Sequence, residues 1–108
     1  METVLEKTVL ELTSELCEIL RNNYYLRGST LECDFIFETG RKYLKIIMVN
    51  NQRSVHGFVD KKTGDLYMAA GWSGPAKGIR YNLVRDIASL REMGKTLGIM
   101  WAGGYLYR

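Results

Sequence analysis

Residues 41–70 read RKYLKIIMVNNQRSVHGFVDKKTGDLYMAA, and their order of apolar and polar side chains specifies consecutive antiparallel strands. In RKYLKIIMV (41–49), Tyr43, Lys45, Ile47 and Val49 fall on one side. Leu44, Ile46 and Met48 fall on the other, the period-two pattern of a strand. Asn50-Asn51-Gln52 turns the chain into RSVHGFV (53–59). Strict alternation there groups Ser54, His56 and Phe58 on one face and Arg53, Val55, Gly57 and Val59 on the other. Asp60-Lys61-Lys62-Thr63-Gly64 forms a turn with glycine at its left-handed position, and DLYMAA (65–70) runs back. Links this short join neighbouring strands, so the segment is a meander.

Upstream, LECDFIFE (31–38) alternates with Cys33, Phe35 and Phe37 on one face, and Thr39-Gly40 joins it to the next strand as a hairpin. The first 22 residues form a helix. Leu5, Val9, Leu12, Leu16 and Ile19 recur at helical steps, and the Leu5–Leu12–Ile19 stripe is expected to pack on the sheet. The stripe covers just over two heptads, short of a coiled coil. Glu2, Glu6, Glu11, Glu15 and Glu18 make the opposite surface acidic. Asn22-Asn23 and Gly28 end the helix, with Tyr24 and Tyr25 packing beneath the turn.

Downstream, GWSGPAKGIRY (71–81) holds three glycines and the only proline, which predicts an irregular basic loop. Asn82 is an N-cap for a second helix marked by Leu83, Ile87 and Leu90 and stopped by Gly94. KTLGIMWAGGYLYR (95–108) is expected to be a packed tail, with a short edge strand at its end as one option. The reading is one α+β domain over 1–108: an N-terminal helix (1–22), a four-stranded antiparallel meander sheet (31–70), a basic loop (71–81), a second helix (82–94) and a tail (95–108).

A chain of 108 residues supports one core. No apolar run approaches a membrane span, and the first residues lack a basic segment leading into an apolar one, so a cytoplasmic location is expected. Cys17 and Cys33 lie on different elements and read as free buried thiols. With a single histidine, a Cys/His zinc site would need carboxylates to complete it, and neither metal nor cofactor is expected. The net charge of +3 conceals a division. Residues 1–40 carry eight acids against three bases, and residues 41–108 carry twelve bases against four acids. Segregation of this kind suits oppositely charged partners.

Ser54 and His56 are close along one strand, but no orienting acid or oxyanion hole accompanies them, so no catalytic residues are assigned and an enzyme is not expected. The loop 71–82 lacks the GxxxxGK[ST] spacing of a nucleotide-hydrolysing loop. It does set Lys77 and Arg80 beside Trp72 and Tyr81 ahead of a helix, which suits a base and a phosphate. Lys77 and Arg80 are expected to share one exposed patch with Trp72. The basic content itself (Arg41, Lys42, Lys45, Lys61, Lys62, Lys77, Arg80, Arg85, Arg91 and Lys95), with Tyr43 and Tyr67 among it on the sheet, is a weaker pattern of the same kind. The binding residues expected from the sequence are Arg53, His56, Lys61, Lys62, Tyr67, Trp72, Lys77, Arg80 and Tyr81.

The words from Gly40 to Asn82 and the terminal WAGGYLY (101–107) carry a resemblance. GRKY, SVHGFVD, KTGD and GWSGPAKGIRYN stand here in the fixed order of a family of small uncharacterised proteins from tailed bacteriophages, which this chain resembles over roughly half its length. The helix 1–22 lies outside those words. The resemblance implies action in the cytoplasm of an infected bacterium and brings no reaction with it.

Two functions are carried forward. One is a non-enzymatic protein that binds nucleic acid or a nucleotide through its basic and aromatic residues. The other is a protein-binding inhibitor of a host factor or antiviral defence complex, with the acidic helix as a mimic of nucleic acid. Neither involves a membrane, and both allow a monomer or a homodimer.

Overall fold

The computed structural model describes residues 2–26, 28–96 and 100–107. Helix α1 spans Val4–Tyr25 and opens with a capping box. The Glu6 N–H donates to Thr3 Oγ1 at 3.1 Å while the Thr3 N–H donates to Glu6 Oε1 at 3.3 Å, which satisfies two donors that a helix start leaves open. The buried stripe is Val9, Thr13, Leu16, Leu20 and Asn23, joined by Cys17. It is rotated from the expected one: Leu5 is 44% exposed, and Leu12 and Ile19 are only partly buried. The reason is that two polar residues occupy the centre, each with its hydrogen bonds made. Thr13 Oγ1 donates to the Val9 carbonyl at 2.7 Å. Asn23 Nδ2 donates to the Gly94 carbonyl at 2.9 Å, and Asn23 Oδ1 accepts the Trp101 N–H at 2.9 Å. Hydrogen-bonded polar groups can be buried where unpaired ones cannot.

Strands β1 (Asp34–Thr39), β2 (Tyr43–Val49), β3 (Arg53–Asp60) and β4 (Asp65–Gly71) form the expected antiparallel meander. The sheet is larger than four strands. Within 71–81 the chain is not wholly irregular: β5 (Gly74–Pro75) and β6 (Tyr81–Asn82) both pair with β4. Phe35, Phe37, Leu44, Ile46, Val59 and Leu66 point to one side and meet α1 in the core.

The register of β2 on β3 departs from alternation at one place. Ile46 faces Gly57 and Ile47 faces Val55, so His56 is an extra residue without a partner on β2, a β-bulge. Ser54 therefore pairs with Met48 on the core side, whereas Phe58 pairs with Lys45 on the opposite side. The expectation that Ser54, His56 and Phe58 share a face is corrected by this one inserted residue. Gly57 permits the irregularity, because a Cβ there would stand 2.8 Å from the Tyr67 carbonyl oxygen.

Helix α2 (Leu83–Thr96) starts as expected, with Asn82 Oδ1 accepting the N–H groups of Val84 and Arg85 at 3.0 Å each. It runs parallel to α1, since Val84 lies with Val9 above Gly64, Arg91 pairs with Glu15, and Gly94 meets Ile19. Gly94 does not stop the helix. It is buried within it, at the point where the two helices come closest. Beyond α2, Met100–Ala102 and Gly104–Leu106 form two 3-10 turns. No strand occurs among the described residues of the tail. Both cysteines are free and buried, and desolvation pushes the Cys17 thiol up to about 12, which leaves it unreactive. No helix among the described residues is long and apolar enough to cross a membrane.

Candidate nucleic-acid interface

Both helices and the C-terminal turns lie on the core side of the sheet; on the other side, where Ile47 and Phe58 are buried, the turn carrying Trp72 folds onto the strands and no described helix packs. Across its centre Lys45, Phe58 and Tyr67 are register neighbours on β2, β3 and β4. Phe58 is buried between them, outside the main core. Tyr43 makes edge-on contacts with Phe58 (5.9 Å between centroids) and Tyr67 (6.0 Å). Burial, then the nearby Asp65 carboxylate, pushes the Tyr67 phenol above its usual pKa. Trp72 sits in the two-residue turn between β4 and β5, and the Lys45 ammonium lies 4.1 Å from its ring centroid. Trp72 is 46% exposed, so part of this aromatic residue stays accessible beside a cation.

One end of this face is strongly basic. The β1–β2 and β3–β4 turns are tied together there: the Lys61 N–H donates to the Lys42 carbonyl at 3.0 Å, and Lys61 Nζ donates to the Gly40 carbonyl at 2.9 Å. Arg41, Lys42, Lys61 and Lys62 converge as a result. The acids nearby are used by the turn itself. Asp60 Oδ1 accepts the N–H groups of Lys62 (2.8 Å) and Thr63 (3.2 Å). Asp65 accepts from Thr63 Oγ1 (2.9 Å) and Asn82 Nδ2 (3.0 Å). Ion pairs among the described residues join Arg21 to Asp34, Arg53 to Glu38, Arg85 to Asp86 and Arg91 to Glu15. None of them takes a cation from the turns.

The residues expected to bind divide between the two sides of the sheet. Lys61, Lys62, Tyr67 and Trp72 belong to the open side and its basic end. Arg53 starts β3 on the same side, exposed, with Nη2 2.7 Å from Glu38 Oε2. Lys77 is exposed on the loop, and Arg80 is half-buried with Nη2 donating to the Lys77 carbonyl at 3.3 Å.

His56 and Tyr81 lie on the core side. The Tyr81 hydroxyl donates to the Tyr105 carbonyl at 3.2 Å, and its ring leans on Tyr105 at 5.8 Å. The Tyr105 hydroxyl and His56 Nε2 are hydrogen-bonded at 2.8 Å, the two rings stack at 5.6 Å, and the imidazole also bonds the Trp101 backbone. Desolvation lowers the His56 pKa to about 4, so the ring is neutral near pH 7. These contacts hold the C-terminal turns against β3.

The arrangement adds Arg41, Lys42, Tyr43, Lys45 and Phe58 to the candidate surface. The signal for them was the meander: in four antiparallel strands the first and third turns fall at the same end. The fold and this surface define a small α+β protein with one helix-covered sheet face and one open basic and aromatic face. The chain belongs to the family of unknown function DUF7717, whose model matches residues 1–108, helix α1 included. No curated protein and no solved structure matches it.

Proposed function

We propose that this chain is a non-enzymatic binding protein that holds nucleic acid or a nucleotide on the open face of its sheet. The observation that carries the reading is Lys45 against the half-exposed ring of Trp72, beside Tyr43 and Tyr67, on a face that no helix covers. Aromatic rings offer stacking to any base, and cations without carboxylate partners offer attraction to phosphate. The resemblance to proteins of tailed bacteriophages supports action in the cytoplasm of an infected bacterium. Anisotropy titrations of labelled DNA and RNA oligonucleotides and of nucleotides at low salt test the reading. Saturable binding that Trp72→Ala weakens is expected, and no binding to any of them overturns it.

A second reading, a protein-binding inhibitor of a host or defence factor, is supported by the other side of the molecule. Val4 (85%), Leu5 (44%) and Val84 (44%) are exposed at the starts of the two parallel helices, and Glu2 and Glu11 are exposed acids of the same N-terminal segment. Exposed apolar groups rimmed by charge suit a protein partner. A nuclease-treated partner that is retained by the wild type and lost on Leu5→Asp would favour this reading over the first.

A further inference from the structure

We infer that the paired β1–β2 and β3–β4 turns are a seat for the phosphodiester backbone of a single-stranded nucleic acid whose bases continue onto Tyr43 and Trp72. The inference rests on the proposed function and names its ligand. Two adjoining grooves carry it. One, of about 340 Å³, is lined by Arg41, Lys42, Asp60, Lys62 and Thr63. The other, of about 270 Å³, shares Arg41 and Lys42 and reaches past Tyr43, Lys45 and Phe58 to Ser73, the neighbour of Trp72. Together they form a path from the turns across the open face.

The charges along this path are in line. Lys42 stands in the turn just before β2, with its ammonium 5.3 Å from the Tyr43 ring centroid, and Lys45 follows three residues later, 4.1 Å from the Trp72 ring centroid. Asp60 is occupied by the turn's own N–H groups, and Glu38, the acid of the second groove, is paired with Arg53. Arg41, Lys42, Lys45 and Lys62 outnumber Asp60 and Glu38 along the two grooves, so the path carries an excess of positive charge. The cations that converge at the turns would by themselves serve a single phosphate. Their continuation past Tyr43 to Lys45 and the Trp72 turn matches a ligand whose phosphates and bases both repeat. A duplex fits poorly, because its base faces are already stacked and closed to Trp72.

The test uses the full chain, labelled oligothymidylate and oligouridylate dodecamers, a duplex of the same length and thymidine triphosphate, each titrated across a salt series. Lys42 and Lys62 are exposed, and neither side chain makes a hydrogen bond or ion pair among the described residues, so Lys42→Ala/Lys62→Ala leaves the turn bonds in place. Circular dichroism checks its fold. Each phosphate contact on a single strand contributes about 0.7 to the log–log salt slope, so the double variant is expected to lower the slope by about 1.4 and weaken binding at low salt. Lys42→Arg/Lys62→Arg is expected to restore both. An unchanged slope in the double variant, with Trp72→Ala still weakening binding, overturns the phosphate seat and leaves the proposed function standing. Equal or tighter binding of the triphosphate or the duplex overturns the single-stranded ligand. No binding of any probe by the wild type overturns both.

Discussion

Ile19 lies directly over Gly94: a Cβ added to Gly94 would collide with Ile19 Cγ2. The contact sets how closely α1 and α2 approach, and Asn23 Nδ2 on the Gly94 carbonyl fixes it from the same helix. Gly94→Ala should therefore destabilise, although alanine is the better helix former. Overpacking costs about 1–3 kcal/mol and the propensity gain returns up to about 1, leaving a net loss on the order of 1 kcal/mol. A thermal melt should show Tm lower by about 4 °C or more. A variant as stable as the wild type would mean that the helices are not held at this distance.

The rotation of α1 predicts a contrast between two leucines. Leu16 is fully buried and Leu5 is 44% exposed. Leu16→Ala should cost about 2–5 kcal/mol by denaturant unfolding, as core truncations do. Leu5→Ala should stay within about 0.5 kcal/mol, as surface changes do. Equal losses at the two positions would restore the stripe drawn from sequence alone.

The single histidine gives a pH dependence with a definite sign. His56 has a native pKa of about 4 against an ordinary 6.5, so below 6.5 the unfolded chain takes up a proton that the native chain refuses. Its stabilising contribution is complete above pH 6.5 and is lost as pH falls towards 4, by about 1.4 kcal/mol per unit and roughly 3 kcal/mol in total. Urea unfolding at pH 7 and pH 5 measures this. His56→Gln should flatten the slope in that window, and a wild type equally stable at both values would contradict it.

Two substitutions on the open face should give different signatures with an oligonucleotide. Trp72→Ala should weaken binding by about 1–3 kcal/mol with little change in salt slope, because stacking involves no counterions. Lys45→Ala should lower the slope by about 0.7 if its ammonium meets a phosphate. Salt titrations of both variants separate the roles. A fall in slope for Trp72→Ala alone would reverse the assignment.

Much of this architecture is legible without coordinates, because it depends on local pattern. The meander, the Asn82 cap and the left-handed Gly64 (φ +81°) follow from alternation, capping chemistry and turn chemistry. The departures occur where a residue answers to a distant neighbour. Asn23 enters the core because Gly94 and Trp101 supply its hydrogen bonds, whereas Thr13 needs only the Val9 carbonyl one helical turn back. Gly94 reads as a helix stop until Ile19 is placed above it. The bulge at His56 left one mark in the sequence, a glycine in the middle of a strand, which signals a close backbone approach. Taking that mark into account moves His56 and Phe58 to opposite sides of the sheet.

The candidate surface divides in the same way. Trp72 and the basic turn residues were visible as composition, but Tyr81 and His56 looked like ligand residues only because polarity and aromaticity are shared by binding surfaces and by hydrogen-bonded cores. What separated them was Tyr105, which lies 24 residues beyond Tyr81 and 49 beyond His56.

Asn23 has a bearing on how the chain is born. Two of its side-chain hydrogen bonds reach 71 and 78 residues further along, so a nascent chain leaving the ribosome carries a helix in which these two bonds stay unmade until Gly94 and Trp101 have emerged. At roughly 5–20 residues per second that interval is several seconds, long compared with the formation of a helix or hairpin. The sheet and first helix must wait, incompletely closed, for the last turns. Ribosome-stalled chains ending before Trp101 should thus be protease-sensitive, and resistance should appear abruptly once the C-terminal turns are exposed.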